Sequence, residues 1–298
     1  MKVGIHEQYQ GPKATTVAST TESFPLIEVT REFEADVIQP QDLVRRLILR
    51  CKPLWEAGKA TAWSFKPDPA AVDSGRWKPF ILELAQYIKD NNLQDKVIVV
   101  IWHEPENDVP KFFRSAADFV RLFNTVHDWL MSVDPSIVTS HAALGYWYRN
   151  VSANAAKAWV TKCTIHSIDI YSGRSFPLAM TLKTSKPFQI WKASRPAGSK
   201  WGVSERGWIA APADSAARAA SIDAESDYLA SLAPAERPEF YIVWNTEGTE
   251  ADPKIVLDQA GKDAVNRLFA RLTRLICPLC AGTGYVPPGQ TYTVVRTG

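Results

Sequence analysis

"VIVVIWHEPEND", from Val97 to Asp108, runs five apolar residues and a tryptophan straight into His103, Glu104, Pro105, Glu106, Asn107 and Asp108. A short unbroken apolar run that ends at a proline reads as a fully buried strand. Carboxylates at the end of such a strand are costly to leave without a purpose. They either cap the loop that follows or build a site.

Seven further runs share the character of the first. They are "KVGIH" from Lys2, "FPLIEVT" from Phe24, "TAWSFK" from Thr61, "SIVTSHAAL" from Ser136, "CTIHSIDIYS" from Cys163, "KWGVSERG" from Lys200 and "EFYIVWNTEG" from Glu239. Between most of them lies a stretch of helical period. "QPQDLVRRLILRCKPLWEAG" sets Leu43, Leu47, Cys51 and Leu54 on one face. "SAADFVRLFNTVHDWLMSV" opens on Ser115, a good helix cap, and keeps Phe119, Leu122, Phe123 and Val126 in register. "SAARAASIDAESDYLASL" and "DAVNRLFARLTRLI" behave alike. The linker "QGPKATTVASTTES" shows no helix, and Pro187 is expected to interrupt the helix after the sixth strand.

Strands that alternate with helices build parallel βα units. Eight of them, spaced by roughly 35 residues, have the dimensions of a (β/α)8 barrel. The rival α/β architecture, a doubly wound open sheet, usually carries a Gly-rich loop after its first strand, and none is present. The expectation is one TIM barrel over residues 1–284, with 285–298 as a tail packed on the barrel or leaving it.

Composition narrows the function. The chain has 298 residues, 46% hydrophobic and 22% charged, as in ordinary globular proteins. A net charge of +2, with no run of Lys or Arg, argues against a nucleic-acid partner. No segment reaches the ~18 apolar residues of a membrane span. "MKVGIHEQY" enters strand-like sequence with no signal core, so the chain as written is expected to be made in the cytoplasm. It would then stay there, leave by lysis, ride on a larger particle, or be cut from a longer chain. Four cysteines make no disulfide framework at this length. "CPLCAGTG" at Cys277 and Cys280 looks like half of a DnaJ-type zinc repeat, but a tetrahedral site needs a second pair and none follows. A reduced pair or a local disulfide is the blander reading, and no metal or other cofactor is expected.

In a barrel of this kind chemistry sits at the C-terminal ends of the strands. Strand four ends in His103, Glu104, Glu106 and Asn107, and strand five in His141. Strand six ends in Asp169 and Tyr171, strand seven in Ser204, Glu205 and Arg206, and strand eight in Trp244, Asn245 and Glu247. Trp63 on strand three and Trp147, in the "GYWYRN" loop after strand five, are further candidates for stacking on sugar. Two carboxylates facing each other from strands four and seven are what glycoside hydrolysis requires. One is protonated to help the leaving oxygen depart, and the other ionised to attack or stabilise the sugar cation.

"WHEPEN" on strand four, "VSERG" on strand seven and "VWN" on strand eight, at eight-unit spacing, resemble clan A glycoside hydrolases. The His-Glu pair makes the chain most similar to glycoside hydrolase family 26, the β-mannanase group. The resemblance implies a retaining, endo-acting enzyme on a polysaccharide, mannan-like or a cell-wall or surface glycan. Glu104 would be the acid/base and Glu205 the nucleophile. His103 would stand beside the acid/base, Tyr171 would hydrogen-bond the nucleophile, and Trp244 would floor the sugar at the cleavage point. Remote barrels of this type also resemble domains of phage tails, which makes phage tail proteins a partner class. A non-catalytic carbohydrate-binding barrel in such an assembly is the alternative function.

Structural readings stand beside these. Glu104 and Glu106 can cap the next helix, Glu205 can pair with Arg206 or Arg174, His103 can be a core histidine, and Trp244 can be barrel packing. The neighbours of the two glutamates set a further expectation. Trp102 and the apolar strand should raise the Glu104 pKa, whereas Arg206 and Tyr171 should favour the ionised form of Glu205.

Overall fold

The computed structural model describes residues 1–6, 16–34, 39–173, 176–245 and 256–274. Its eight strands are β1 (Lys2–His6), β2 (Val29–Phe33), β3 (Ala60–Phe65), β4 (Val97–Ile101), β5 (Val138–Leu144), β6 (Ile165–Ser172), β7 (Trp201–Trp208) and β8 (Phe240–Trp244). All pair in parallel in sequence order, and β8 closes on β1. The expected TIM barrel is therefore the fold. The helices among the described residues are α1 (Val17–Ser23), α2 (Leu43–Glu56), α3 (Pro69–Asp73), α4 (Lys78–Asp90), α5 (Ala116–Val133), α6 (Ala153–Lys157), α7 (Lys186–Ser194), α8 (Ser215–Ser231) and α9 (Gln259–Arg274). None is long and apolar enough to cross a membrane. Cys277, Cys280 and the expected tail at 285–298 lie outside the described residues, as do Arg174 and Glu247.

The helical stripes are those the periodicity indicates. Leu43, Leu47, Cys51 and Leu54 are buried on α2, and the Ser115 hydroxyl caps α5 by accepting from the Asp118 N–H. Three elements differ from expectation. Pro187 does not interrupt a helix. It stands in the first turn of α7, where no N–H is needed and its fixed φ suits the start of a helix. The linker before β2 does contain a helix, α1, nucleated by the Thr16 side chain accepting from Ser19 N–H. That helix is too short to show a period. The second strand begins at Val29 rather than Phe24, because Phe24 caps α1 and packs near Phe269. The strand consequently runs on through Arg31 to Phe33.

The barrel interior is layered. Val29, Ala60, Ala62, Ile98, Val100, Ala142, Ile165, Phe240 and Ile242 form its apolar floor. Small residues make room for Phe240: a Cβ on Gly202 would lie 2.6 Å from that ring. Above the floor the inward positions turn polar. Ser140 and Ser167 share a hydrogen bond of 2.9 Å, and the Ser204 hydroxyl reaches Ser167 at 3.0 Å and Asp169 at 2.5 Å.

A bulge in β7 finishes that layer. Ile168 pairs with Val203, but Asp169 pairs with Glu205, so β7 carries one residue more than β6 at this level. An extra residue breaks the in-and-out alternation. Ser204 and Glu205 both face the interior, and Arg206 is turned outward. There Arg206 forms a two-pronged pair with Glu225 of α8, at 2.8 and 3.0 Å, with neither side chain exposed. The Tyr241 hydroxyl donates to the same carboxylate. Arg206 thus braces β7 and does not touch Glu205.

Removing one partner of a buried ion pair strands the other charge in a medium that cannot solvate it. Glu225→Ala is expected to cost about 3–5 kcal/mol of stability in urea denaturation. A loss under about 1 kcal/mol, the range of an exposed pair, would show that the bracing is unimportant.

Candidate active site

At the top of β4 the backbone takes two residues out of three through the left-handed region, Trp102 and Glu104, each at φ 49°. Such angles are strained for residues with a Cβ and persist where the surroundings hold them. Here the Trp102 ring is driven outward among Phe113 and Phe119, and its indole N–H donates to the Pro67 carbonyl at 2.9 Å. His103 is left facing inward, 2.7 Å from the Ser64 hydroxyl. The Glu104 N–H donates to the Ala142 carbonyl at 2.8 Å, which ties the turn to β5.

Glu104, Asp169 and Glu205 meet at the mouth, one carboxylate oxygen of each within 4.8 Å of the others. They come from the β4 turn, from β6 and from the β7 bulge. Glu205 has the richest set of partners. The Tyr171 hydroxyl donates to it at 2.5 Å, and the Arg31 guanidinium lies 3.9 Å away. Glu104 accepts from the Asn107 amide at 3.3 Å. Among the described residues this trio is the group with donor spacing for a metal ion. Arg31 and the Tyr171 donor already supply the positive end that a cation would.

An aromatic wall completes the mouth. The Trp244 ring stacks on His6 at 4.2 Å, and Phe33 meets Trp244, His6 and His103 edge-on at 5.7, 5.4 and 5.0 Å. Arg31 lies over Phe33 at 4.4 Å, fixed from behind because its carbonyl is bound by the His6 ring.

The structure brings Glu104, Glu205, His103, Asn107, Tyr171 and Trp244 together. It does not bring the rest of the expected set. His141 points to the outer face of β5, buried beside Phe119 and Phe123 of α5. Trp63 is fully buried on the outer face of β3, stacked on Phe65 with its N–H on Glu34. Trp147 packs edge-on against Tyr148 and Trp159. Glu106 is also elsewhere, accepting from the Leu144 N–H and the Tyr148 hydroxyl. Sequence reasoning missed Arg31, Phe33 and His6. The signal for two of them was the alternation Val29, Arg31, Phe33, hidden by starting the strand at Phe24.

Burial raises all three clustered acids. Glu205 is pushed up to about 8, by burial and then by Asp169, against the pull of Arg31 and Tyr171. Glu104 is pushed up to about 7, by burial and then by Glu205. Asp169 is likewise pushed up to about 7, chiefly by burial. The expected asymmetry, with Glu104 raised and Glu205 lowered, does not appear group by group. Its premise failed, since Arg206 is turned away. Three acids around one guanidinium titrate as a unit that retains protons near neutrality. His103 and His6 are held neutral, the first well below its ordinary value and the second at about 3, both by burial above all.

Comparison with known proteins places the fold. No protein-family model matches the chain, and no curated protein matches it in sequence. Solved structures do match. A family 5 subfamily 18 glycoside hydrolase from Streptomyces cattleya superposes with a TM-score of 0.65 at 13% identity, over 92% of this chain and 80% of that one. The catalytic domain of a family 26 endo-β-1,4-mannanase from Bacillus sp. JAMB-750 gives 0.58 at 12%, over 90% and 85%. What these structures share with the chain is the closed eight-stranded parallel barrel. An exo-β-1,4-mannosidase from an Opitutaceae bacterium gives 0.62 at 13% identity, over 93% of this chain. This chain spans 60% of that protein's length, and 66% of a Croceicoccus marinus glucosidase that also matches. Nothing in these neighbours supports the expected link to a phage tail.

The raised acids make stability depend on pH. In the unfolded chain carboxyls lose their protons near pH 4, whereas the folded cluster keeps them to about 7–8, as do Glu106 and Glu32, each at about 8. The folded state binds the extra protons, so the stability they confer is full below about pH 4, declines as the unfolded chain ionises, and is gone once pH has risen through 7 to 8. The depressed histidines act in the opposite sense, but only below about pH 6.5. Urea denaturation should therefore show stability falling from about pH 6.5, above which the histidines no longer oppose it, to about pH 8, and levelling off beyond. Glu205→Gln should flatten part of that slope and be more stable than wild type at pH 8. A flat or rising wild-type profile would contradict the burial of these acids.

Proposed function

We propose that the protein is a retaining glycoside hydrolase acting on a polysaccharide by double displacement. The observation that carries this reading is the approach of Glu104 and Glu205, with oxygens within 4.8 Å, across the top of a closed barrel. Retaining enzymes hold their two carboxyls ~5–5.5 Å apart so that one attacks the sugar directly, while inverting enzymes leave ~6.5–9.5 Å for a water. The short spacing favours retention.

The contacts support one division of roles. The Tyr171 hydroxyl donates to Glu205 and Arg31 lies beside it, whereas Glu104 has the longer Asn107 contact and feels Lys66 and Arg31 only through their charge. Within the shared titration the charge is best accommodated there, although Glu205 taken singly is held higher than Glu104. Glu205 attacks the anomeric carbon. Glu104 then carries the proton, gives it to the departing oxygen, and takes one from water in the second step. Glu205 keeps Glu104 protonated by proximity, while Asp169, bound to Ser204, acts on Glu205. Trp244 offers a face to the C–H side of a pyranose, and neutral His103 can hydrogen-bond its hydroxyls. Two of the structural neighbours are named for β-1,4-mannose linkages, which makes a β-mannan the first substrate to assay. The presence of both opposed carboxylates supports the enzyme over a non-catalytic binding barrel.

Glu205→Ala should reduce turnover to background with folding intact. Glu104→Ala should lose about 10²–10⁴-fold on a polysaccharide, yet far less on an aryl glycoside whose leaving group needs no proton. Wild-type activity in either variant would mean that the wrong carboxylate is named. Proton NMR of the first product should show the substrate's own anomeric configuration. First appearance of the opposite anomer would put a water between the carboxyls and end the double-displacement reading.

A further inference from the structure

A cavity of about 430 Å³ opens at the C-terminal end of the barrel, between the loop that follows β5 and the loop that follows β6. Its volume falls in the ~300–1,000 Å³ range of small-molecule sites. Phe176, Pro177 and Met180 make most of its surface apolar, and Arg149, Thr184 and Lys186 add a small polar part. No acidic residue lines it, and among the described residues neither Arg149 nor Lys186 has a carboxylate partner. The Arg149 guanidinium is instead laid on the Tyr146 ring at 3.6 Å.

Its walls are tied to the segments that carry the carboxylate cluster. The Tyr148 hydroxyl, one residue before Arg149, donates to Glu106 in the loop that carries Glu104. Ser172, next to Tyr171, donates to the Met180 carbonyl at 2.9 Å, and the Gly173 N–H donates to the Phe176 carbonyl at 2.8 Å. The rim repeats the same chemistry. Among the described large apolar side chains that remain exposed, the aromatic ones are Phe112 and Tyr146, on the loops after β4 and β5. Each has a cation over its ring, Lys111 at 4.6 Å and Arg149 at 3.6 Å. A ring to stack on and a cation beside it fit a sugar that bears a negative charge better than a neutral one.

We propose that this cavity is a subsite for an anionic sugar unit, bearing a carboxylate or a phosphate, of the glycan whose cleavage Glu104 and Glu205 carry out. Arg149 and Lys186 bind the anion, and Phe176 and Met180 take the apolar face. The inference rests on the glycosidase reading and narrows its substrate to a charged polysaccharide.

The test is calorimetric titration of the Glu205→Gln protein with two matched pairs of probes. One pair is a xylo-oligosaccharide with and without a glucuronate branch; the other is a manno-oligosaccharide with and without a phosphate monoester. At least one charged probe should bind about tenfold or more tightly than its neutral partner at low salt, as a charge-assisted hydrogen bond warrants. Whichever pair shows the gain tells carboxylate from phosphate. The advantage should shrink at high salt and vanish in an Arg149→Ala/Lys186→Ala background that melts like the parent and binds the neutral probes equally well. Equal binding within both pairs, or a preference that survives the double substitution, overturns the subsite and leaves the glycosidase reading standing. Failure of all four probes to bind overturns the glycan reading on which it rests.

Discussion

Two buried carboxylates and a half-buried one crowd around one guanidinium at the top of a closed barrel, and much of the local structure follows from that constraint. Acids in this setting can neither all ionise nor all be left without partners. The serine layer of Ser140, Ser167 and Ser204 supplies hydrogen bonds beneath them. Arg31 supplies charge, and Tyr171 a donor. Below lies the apolar floor, which keeps water from entering by the far end. The cluster weakens the fold at neutral pH, and a site of that kind persists where function needs it.

Two local departures from regular strand geometry aim the reacting groups. On β4 the left-handed turn at Trp102 and Glu104 sends the indole outward and the carboxylate inward. On β7 the bulge adds Ser204, so that Glu205 faces in and Arg206 out. Without the bulge, alternation would put Glu205 on the helix side and leave Arg206 at the mouth. The Arg206–Glu225 pair then works as an anchor for the bulged strand, so an ion pair on the helix side shares in positioning Glu205.

The fold was legible because its signal is repeated eight times and each repeat carries its own apolar period. The carboxylates were legible because charge at a strand end is costly and therefore informative. What the sequence hid is register. His141 and Trp63 sit in good strand positions, but a shift of one residue decides whether a side chain faces the mouth or a helix. Both face helices. Arg31 was lost the same way, through a strand begun five residues early at an apolar turn. The Glu205–Arg206 neighbourhood misled for a related reason: a bulge leaves no mark in residue type, and adjacency in the chain stood in for adjacency in space.

The central claim is that Glu205 bonds covalently to the sugar. It is tested most directly by intercepting that bond. A 2-deoxy-2-fluoro glycoside with an activated leaving group forms the glycosyl-enzyme but slows its hydrolysis, because the fluorine destabilises the oxocarbenium-like transition state. Incubation with such reagents in the gluco, manno and xylo series, followed by peptide mass mapping, should find one sugar attached to the peptide containing Glu205. It should find none in the Glu205→Gln protein. A sugar attached to Glu104 or Asp169 instead, with Glu205 unmodified, would contradict the account.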